Sequence, residues 1–198
     1  MQAILRPIVW TVILFECILI VLAWAIGALV GISPWQEVKL TWLAVVWSVL
    51  AALPLLAGLV WTIHTRWTIF VQLRRYVQER VVPLFAGCSL FELALISSFA
   101  GIGEELFFRG LLQTGLTAAT SVWIGLGLTS LIFGLAHFIS LMYAVLAALI
   151  GLYLGILFIA FDNLAVPVIV HALYDFVALT YLVRMRSAAN DIHAAAER

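Results

Sequence analysis

Six polar side chains that could take part in catalysis lie within otherwise apolar stretches of the sequence. They are Glu104, Glu105, Arg109, His137, His171 and Asp175. A charged group at the centre of a bilayer costs roughly 2.5–3.5 kcal/mol or more, so it is a functional candidate by default. Leucine would fill the same space without that penalty. A cluster of six such groups therefore favours a chemical role over helix packing alone.

The spacing of these residues predicts two contacts along helices. Glu105 and Arg109 are four residues apart, so they share a helical face and can form an ion pair, which lowers the penalty of burying both charges. His171 and Asp175 have the same spacing. Glu104 is rotated by about 100° from Glu105, so one carboxyl is left outside the ion pair. A partly desolvated carboxyl of this kind is suited to act as a general base or acid.

Three further ionisable groups stand alone in or beside apolar stretches. They are Glu16, His64 and Glu92. A single carboxyl or imidazole in a membrane helix commonly forms a hydrogen bond to a neighbouring helix. We therefore expect these three residues to have structural roles or to lie at the edges of spans.

The composition indicates what kind of element carries these groups. Of 198 residues, 66% are hydrophobic and only 10% are Asp, Glu, Lys or Arg, whereas soluble domains have about 45–50% apolar and about 25% charged residues. The chain is thus predicted to be an integral membrane protein. Its zero net charge and lack of a basic stripe give no electrostatic basis for binding nucleic acid. Two cysteines are too few for a disulfide framework.

The apolar stretches predict an all-α fold, a polytopic integral membrane helical bundle. A span needs roughly 20 helical residues, and we expect about six transmembrane helices, at about residues 8–32, 41–63, 86–117, 122–139, 143–161 and 164–183. The third could instead be two short segments that meet at Gly101 and Gly103. Residues 110–161 contain no Asp, Glu, Lys or Arg. They must turn near residues 139–141, because one helix of that length would overshoot the membrane.

The chain is expected to form a single membrane domain, residues 1–198, in three parts. Residues 8–83 hold two spans and an interfacial helix on the cytoplasmic side, residues 84–184 form a catalytic core with all six candidate residues, and residues 185–198 form a cytoplasmic tail. In the interfacial helix, a face is predicted to be shared by Ile69, Leu73, Tyr76 and Val77. Arginines elsewhere on this helix can approach anionic headgroups.

The distribution of positive residues predicts the orientation of the bundle. With six spans and an inner N-terminus, the outer side receives only Lys39, while the cytoplasmic side receives Arg6, Arg66, Arg74, Arg75, Arg80, Arg184, Arg186 and Arg198. A seventh span would move the arginines after residue 183 outside. We therefore predict a multi-pass protein of the plasma (inner) membrane with both termini in the cytoplasm. The first apolar run resembles a signal peptide, but it is long enough to span, so we expect it to be retained.

Three motifs occur in order, each in an apolar stretch. They are EELFFRG at 104–110, FGLAH at 133–137 and HALYD at 171–175. This pattern resembles the CPBP family, which contains type II CAAX prenyl proteases and bacteriocin-processing or immunity proteins. The resemblance covers roughly residues 84–183, about half of the chain. The first motif alone would be unspecific, whereas three in order form a specific signal.

The resemblance implies a glutamate intramembrane peptidase that uses no metal or other cofactor. Glu104 would be the general base that activates water, and His137 would bind and polarise that water. His171 and the residue at 175 would stabilise the oxyanion of the tetrahedral intermediate. The implied substrate is a peptide or protein associated with the lipid bilayer.

Asp175 departs from the usual pattern of the family's prenyl proteases, which have asparagine at this position. An amide N–H can donate to an oxyanion, whereas an ionised aspartate cannot. Either Asp175 is protonated in its low-dielectric site, or it fixes the tautomer of His171, and we favour the second interpretation. The same resemblance implies that Glu105 and Arg109 support and orient the site.

Other functions stay open at the level of sequence. The same Glu and His side chains could bind a divalent metal in a membrane hydrolase, although the sequence lacks the His-Glu-x-x-His helix of zinc peptidases. A non-catalytic immunity or scaffold protein could bind a partner through the same cavity. A transporter with a proton relay is less consistent with a sequence whose two halves show no pairing.

Two of the candidate residues are predicted at different depths in the membrane. His137 falls near the cytoplasmic end of its span, and Glu104 falls near mid-membrane. Helix tilt, or a fourth span that continues past Ile139, would bring them together. A water-filled cavity open to the cytoplasm would supply the hydrolytic water.

Overall fold

We describe the protein from a computed structural model, which covers residues 6–196, with side chains over residues 6–185. The side chains of the predicted cytoplasmic tail beyond Met185, including those of Arg186 and Arg198, lie outside the described residues. In chain order the elements are α1 (Pro7–Val30), α2 (Trp42–His64), α3 (Thr68–Arg80), α4 (Val82–Phe85), α5 (Leu90–Glu105), a π-helix (Leu106–Gln113), α6 (Thr114–Ala119), α7 (Val122–Ala136), α8 (Leu141–Phe161) and α9 (Ala165–Ala196). Every regular element within residues 6–196 is helical, which confirms the predicted fold class.

Within residues 6–196, four helices are long and apolar enough to cross a membrane, judged by length and composition. They are α1, α2, α8 and the segment Ala165–Met185 of α9. The two other predicted spans correspond to α7, which has only 15 residues, and to the segment from α5 to α6, which is helical without interruption from residue 90 to residue 119. The turn predicted near residues 139–141 lies between α7 and α8.

The packing places α5 at the centre of the bundle. It contacts α9 and α1 along its length, while α7 packs against α8 and α2 packs against α9. Large apolar side chains point outward from the bundle, for example Leu29, Trp42 and Trp123, which are 86%, 80% and 74% exposed. Outward apolar side chains of this size are costly in water and favourable in lipid, so the described surface is that of a membrane-embedded protein.

The start of α5 is fixed by local hydrogen bonds. The Ser89 hydroxyl accepts from the backbone N–H of Glu92, and the Glu92 carboxylate accepts from the backbone N–H of Ser89, which forms a capping box. The same carboxylate accepts from the backbone N–H of Arg6 at 2.9 Å. Glu92 thus lies at the edge of a span and has a structural contact, as predicted. His64 ends α2, where its Nδ1 lies 2.8 Å from the carbonyl of Val60.

A helix, α3, is present at the position predicted for the interfacial helix, and its packing defines the side that faces the bundle. Phe70 is buried, and Leu73 and Val77 are half-buried, whereas Ile69 and Tyr76 are exposed. The reason is that α3 packs against the end of α2. There the Arg74 guanidinium donates to the carbonyls of Thr62 and Thr65, so it takes a place on the inward side.

On the predicted outer side, Asn163 ties the connection between α1 and α2 to the turn between α8 and α9. Its amide oxygen accepts from the backbone N–H of Lys39 at 3.0 Å, and its amide nitrogen donates to the Lys39 carbonyl at 2.8 Å. The Lys39 ammonium also lies 2.9 Å from Glu37 and 3.4 Å from Asp162. These contacts fix the start of α9, which carries two of the candidate residues.

Candidate functional site

A π-helix lies inside the third predicted span and carries Arg109. The chain passes through Gly101 and Gly103 as regular α-helix, so the alternative break at these glycines is not found, and the irregular turns are Leu106–Gln113. At their end the Thr114 hydroxyl donates to the Arg109 carbonyl at 3.0 Å. π-Helices are rare and frequently occur at functional sites. No pattern in the sequence predicted this π-helix.

The predicted contact between Glu105 and Arg109 is present. Arg109 Nη1 donates to Glu105 Oε1 at 2.8 Å, and both side chains are 0% exposed. A second guanidinium nitrogen, Nη2, donates to the Gly151 carbonyl on α8 at 2.8 Å. The guanidinium carbon also lies 4.6 Å from the centre of the Phe133 ring on α7. Arg109 therefore joins three elements, the π-helix, α7 and α8, around one buried charge.

Gln113 repeats this contact one turn further along the π-helix. Its Nε2 donates to the Gly155 carbonyl at 3.2 Å. A β-carbon on Gly155 would lie 2.6 Å from Gln113 Oε1 and 2.5 Å from Leu126 Cδ1. A larger residue at 155 would push the ends of these two side chains aside, so glycine lets the π-helix, α7 and α8 pack this closely with the Gln113 contact in place.

The short length of α7 brings His137 to Glu104. Fifteen residues rise about 22 Å, less than the roughly 30 Å hydrocarbon core, so α7 ends before it crosses a full bilayer. His137, directly after it, lies with Nε2 at 3.5 Å from Glu104 Oε2. The two residues predicted at different depths therefore meet, without a longer fourth span. His137 Nδ1 lies 2.8 Å from the Phe133 carbonyl, which can only accept, so Nδ1–H donates and Nε2 faces Glu104.

His171 is held mainly by Glu105, which the sequence analysis did not anticipate. Its Nδ1 lies 2.9 Å from Glu105 Oε1, the same oxygen that accepts from Arg109. The predicted approach of Asp175 is present but longer, at 3.5 Å between Asp175 Oδ2 and His171 Nε2. Glu105 therefore connects Arg109 to the imidazole, and Nε2 is left facing Asp175.

Exposure increases from one side of the site to the other. The side chains of Glu105 and Arg109 are 0% exposed, Glu104 is 12% exposed, His137 is 27% exposed and Asp175 is 32% exposed. Water and substrate can thus reach the site from the side of His137 and Asp175. The opposite side is closed by the π-helix and α8.

Glu16 on α1 also belongs to this region, although its isolated position in the sequence suggested a structural role. The residue is buried, and a β-carbon on Gly103 would lie 2.5 Å from Glu16 Oε2. Gly103 is the residue directly before Glu104. The sequence did contain a signal for Glu16, because any carboxyl in the middle of a span carries a large energetic penalty. This penalty is the same whether or not other polar residues lie nearby in the sequence.

Two further observations concern possible metal ligands and the surface clefts of the protein. Within residues 6–185, no group of three or more His, Cys, Asp or Glu side chains is arranged to hold a metal ion. Two clefts lie along the connection after α1, at residues 31–37, and none of the six candidate residues lines either of them. The partly exposed side described above carries carboxyl and imidazole groups, which can transfer protons.

Comparison with known families agrees with the position of these residues. A family model described as "Type II CAAX prenyl endopeptidase Rce1-like" matches residues 86–177. The matched segment contains all six candidate residues, runs from just before α5 into α9, and leaves out α1 and α2. No curated protein and no solved structure gives a significant match to the chain.

Proposed function

Since residues 86–177 belong to the Rce1-like family of type II CAAX prenyl endopeptidases, we propose that this chain hydrolyses a peptide bond of a membrane-associated substrate with water activated by Glu104. The match confirms the family that the three motifs predicted and supports a membrane protease. The observation that carries the proposal is the 3.5 Å approach of Glu104 and His137 at the partly exposed side of the site.

In the proposed reaction, Glu104 takes a proton from a water molecule held by His137. The water oxygen forms a bond to the carbonyl carbon of the peptide, and the carbonyl oxygen becomes an oxyanion. When the intermediate collapses, the C–N bond breaks and Glu104 returns the proton to the leaving nitrogen. One carboxyl therefore serves first as general base and then as general acid.

His171 is proposed to stabilise the oxyanion through Nε2–H as an imidazolium, because a neutral ring whose Nδ1–H donates to Glu105 would have no proton on Nε2. Nδ1 lies 2.9 Å from Glu105, which the 2.8 Å contact with Arg109 holds in place, and Nε2 lies 3.5 Å from Asp175, so a carboxyl stands on each side of the ring. A donor with a fixed orientation stabilises developing charge better than a mobile one, because no reorganisation is needed during the reaction. Glu105 and Arg109 are thus positioning residues, and their role is to hold the imidazole.

The proposed substrate is a membrane-associated peptide or protein, with prenylated CAAX tails as the class named by the family description. The site supports this class in two respects. It lies among helices with lipid-facing apolar surfaces, and its accessible side is the one predicted to face the cytoplasm. We further propose that the protein resides in the plasma (inner) membrane with both termini in the cytoplasm.

The test is to map cleavage sites by mass spectrometry in membranes that contain the wild type or Glu104→Gln. We expect new peptide termini that depend on the wild type and are missing with Glu104→Gln. The matched control is Glu79→Gln on α3, which makes the same chemical change at an exposed ion pair with Arg75 and should leave every cleavage in place. Cleavage that persists in Glu104→Gln would refute the proposed role of Glu104.

Two further arms separate this proposal from the alternatives. A peptide that contains the mapped site, tested with and without a prenyl group, shows whether the lipid is recognised. Full activity after removal of metals with a chelator argues against a metal-dependent hydrolase. If no cleavage depends on the wild type but a cellular phenotype persists in Glu104→Gln, an immunity or scaffold protein is the better explanation.

A further inference from the structure

Glu16 is a buried carboxyl in the middle of α1 that the proposed mechanism does not use. It is 3% exposed, and within residues 6–185 it forms no ion pair and Oε2 has no hydrogen-bond partner. A buried polar atom without a partner typically costs about 1–3 kcal/mol, and more for a charged group. Such an atom at a site requires a reason, and an occupant of the site, such as water or substrate, would give it a partner.

The position of Glu16 is fixed by Gly103. A β-carbon on Gly103 would lie 2.5 Å from Glu16 Oε2 and 3.0 Å from the Glu16 carbonyl oxygen. The carboxyl is therefore pressed against the backbone of α5, one residue before Glu104. It also lies within electrostatic range of Glu104, His137, His171 and Asp175.

The charges around Glu16 indicate that its carboxyl is uncharged. Glu105 is paired with Arg109, Glu104 lies 3.5 Å from His137, and Asp175 lies 3.5 Å from His171. No cation in the described part of the site is left for Glu16. A buried carboxylate without a cation is strongly disfavoured, and like charges at short range cannot all ionise. A neutral carboxylic acid, unlike a carboxylate, carries an O–H donor.

A second buried carboxyl oxygen, Glu104 Oε2, accepts no hydrogen bond from the described residues and has only the 3.5 Å approach of His137 Nε2. Two buried carboxyl oxygens without a hydrogen bond therefore lie on the packed helices α1 and α5. A pair of carboxyls, one charged and one neutral, is a known arrangement for hydrolysis by water in aspartic proteases. The site also lacks an amide donor at residue 175, where an ionised aspartate would only accept.

We propose that Glu16 is a catalytic residue whose neutral carboxyl donates a hydrogen bond to the oxyanion of the tetrahedral intermediate. This inference rests on the proposed function and adds a donor that the family motifs do not contain. Glu104 takes the proton of the attacking water, as above. The proton of Glu16 stays on its carboxyl, so the hydrogen bond strengthens as the oxyanion forms and weakens when the C–N bond breaks.

The first test compares Glu16→Gln with Glu16→Leu on the peptide identified by cleavage mapping, in proteoliposomes. Loss of one oxyanion donor typically lowers the rate by about 10²–10³, so Glu16→Leu should lose that much in kcat with KM changed by less than about threefold. Glu16→Gln keeps an N–H donor of similar size and should recover kcat to within about tenfold of the wild type. Glu79→Leu serves as a control for loss of a carboxyl outside the site.

A purely structural Glu16 would give a different result. Because leucine removes an unpartnered buried carboxyl, Glu16→Leu should fold with a Tm at least equal to that of the wild type. A wild-type kcat in Glu16→Leu, or a fall in Tm that accounts for the lost activity, would overturn the inference. If the wild type cleaves and Glu104→Gln does not, the proposed function stands even when the Glu16 inference fails.

A second measurement needs no substrate. Infrared difference spectra between the wild type and Glu16→Gln should contain the C=O stretch of a protonated carboxylic acid at neutral pH. This band should shift in D₂O, because the acid proton is exchangeable. A carboxylate band in its place would show that Glu16 is charged and has no proton to donate, and this result would also overturn the inference.

Discussion

Replacement of Arg109 by alanine should destabilise the fold more than any substitution of Glu104. The change removes hydrogen bonds to Glu105 and to the Gly151 carbonyl, both 2.8 Å long, and leaves a carboxylate that is 0% exposed without its cation. Breaking a buried ion pair in this way costs about 3–5 kcal/mol. For a chain of this size, 1 kcal/mol lowers Tm by about 2–4 °C, so Arg109→Ala should lower Tm by about 6–20 °C.

The assay is thermal unfolding in detergent, followed by tryptophan fluorescence, together with the yield of monodisperse protein. Glu104→Gln is the reference, because it replaces a carboxyl whose nearest charged partner lies 3.5 Å away, and its Tm should stay close to that of the wild type. The double variant Glu105→Leu/Arg109→Met replaces both charges with apolar groups of similar size. It should be less destabilised than the sum of its single variants.

A Tm for Arg109→Ala within 2–3 °C of that for Glu104→Gln, roughly the effect of 1 kcal/mol, would refute this reasoning. It would mean that the guanidinium reaches water or lipid headgroups in the membrane. Strict additivity in the double variant would likewise show that the two charges do not stabilise each other.

Three further predictions follow from the same structure. Asp175→Asn should keep activity within about tenfold because its amide can still contact His171 Nε2, whereas Asp175→Leu should lose about 10²-fold in kcat; the reverse order would place residue 175 outside the site. Gly134→Ala on α7 should lower stability by about 1–3 kcal/mol, as overpacking does, because its β-carbon would meet the backbone carbonyl oxygen of Ala144 on α8 at 2.5 Å; an unchanged Tm in detergent would show that α7 and α8 can move apart. A tag placed after residue 198 should be accessible only from the cytoplasmic side, and labelling from outside would contradict the six-span orientation.

The sequence was sufficient for those features that depend on composition and on spacing within one helix. The apolar composition required a membrane protein, and the lengths of the apolar stretches predicted where α1, α2, α8 and α9 lie. The four-residue spacing predicted the contact between Glu105 and Arg109. Three ordered motifs predicted the family that the match at residues 86–177 confirms. Each of these features depends on the bilayer or on one turn of helix, so neighbouring helices do not alter it.

The tertiary structure decided which groups meet across helices. The contact between Glu105 and His171 joins residues 66 positions apart, and no spacing rule covers such a distance. Glu16 was interpreted as structural because a lone carboxyl in a membrane helix commonly has that role, and the packing of α1 against Gly103 places its carboxyl beside the residue that precedes Glu104. The contacts of Arg74 with the end of α2 and the π-helix around Arg109 also depend on packing between helices. A buried charge needs partners, and only the packed neighbours determine which partners are within reach.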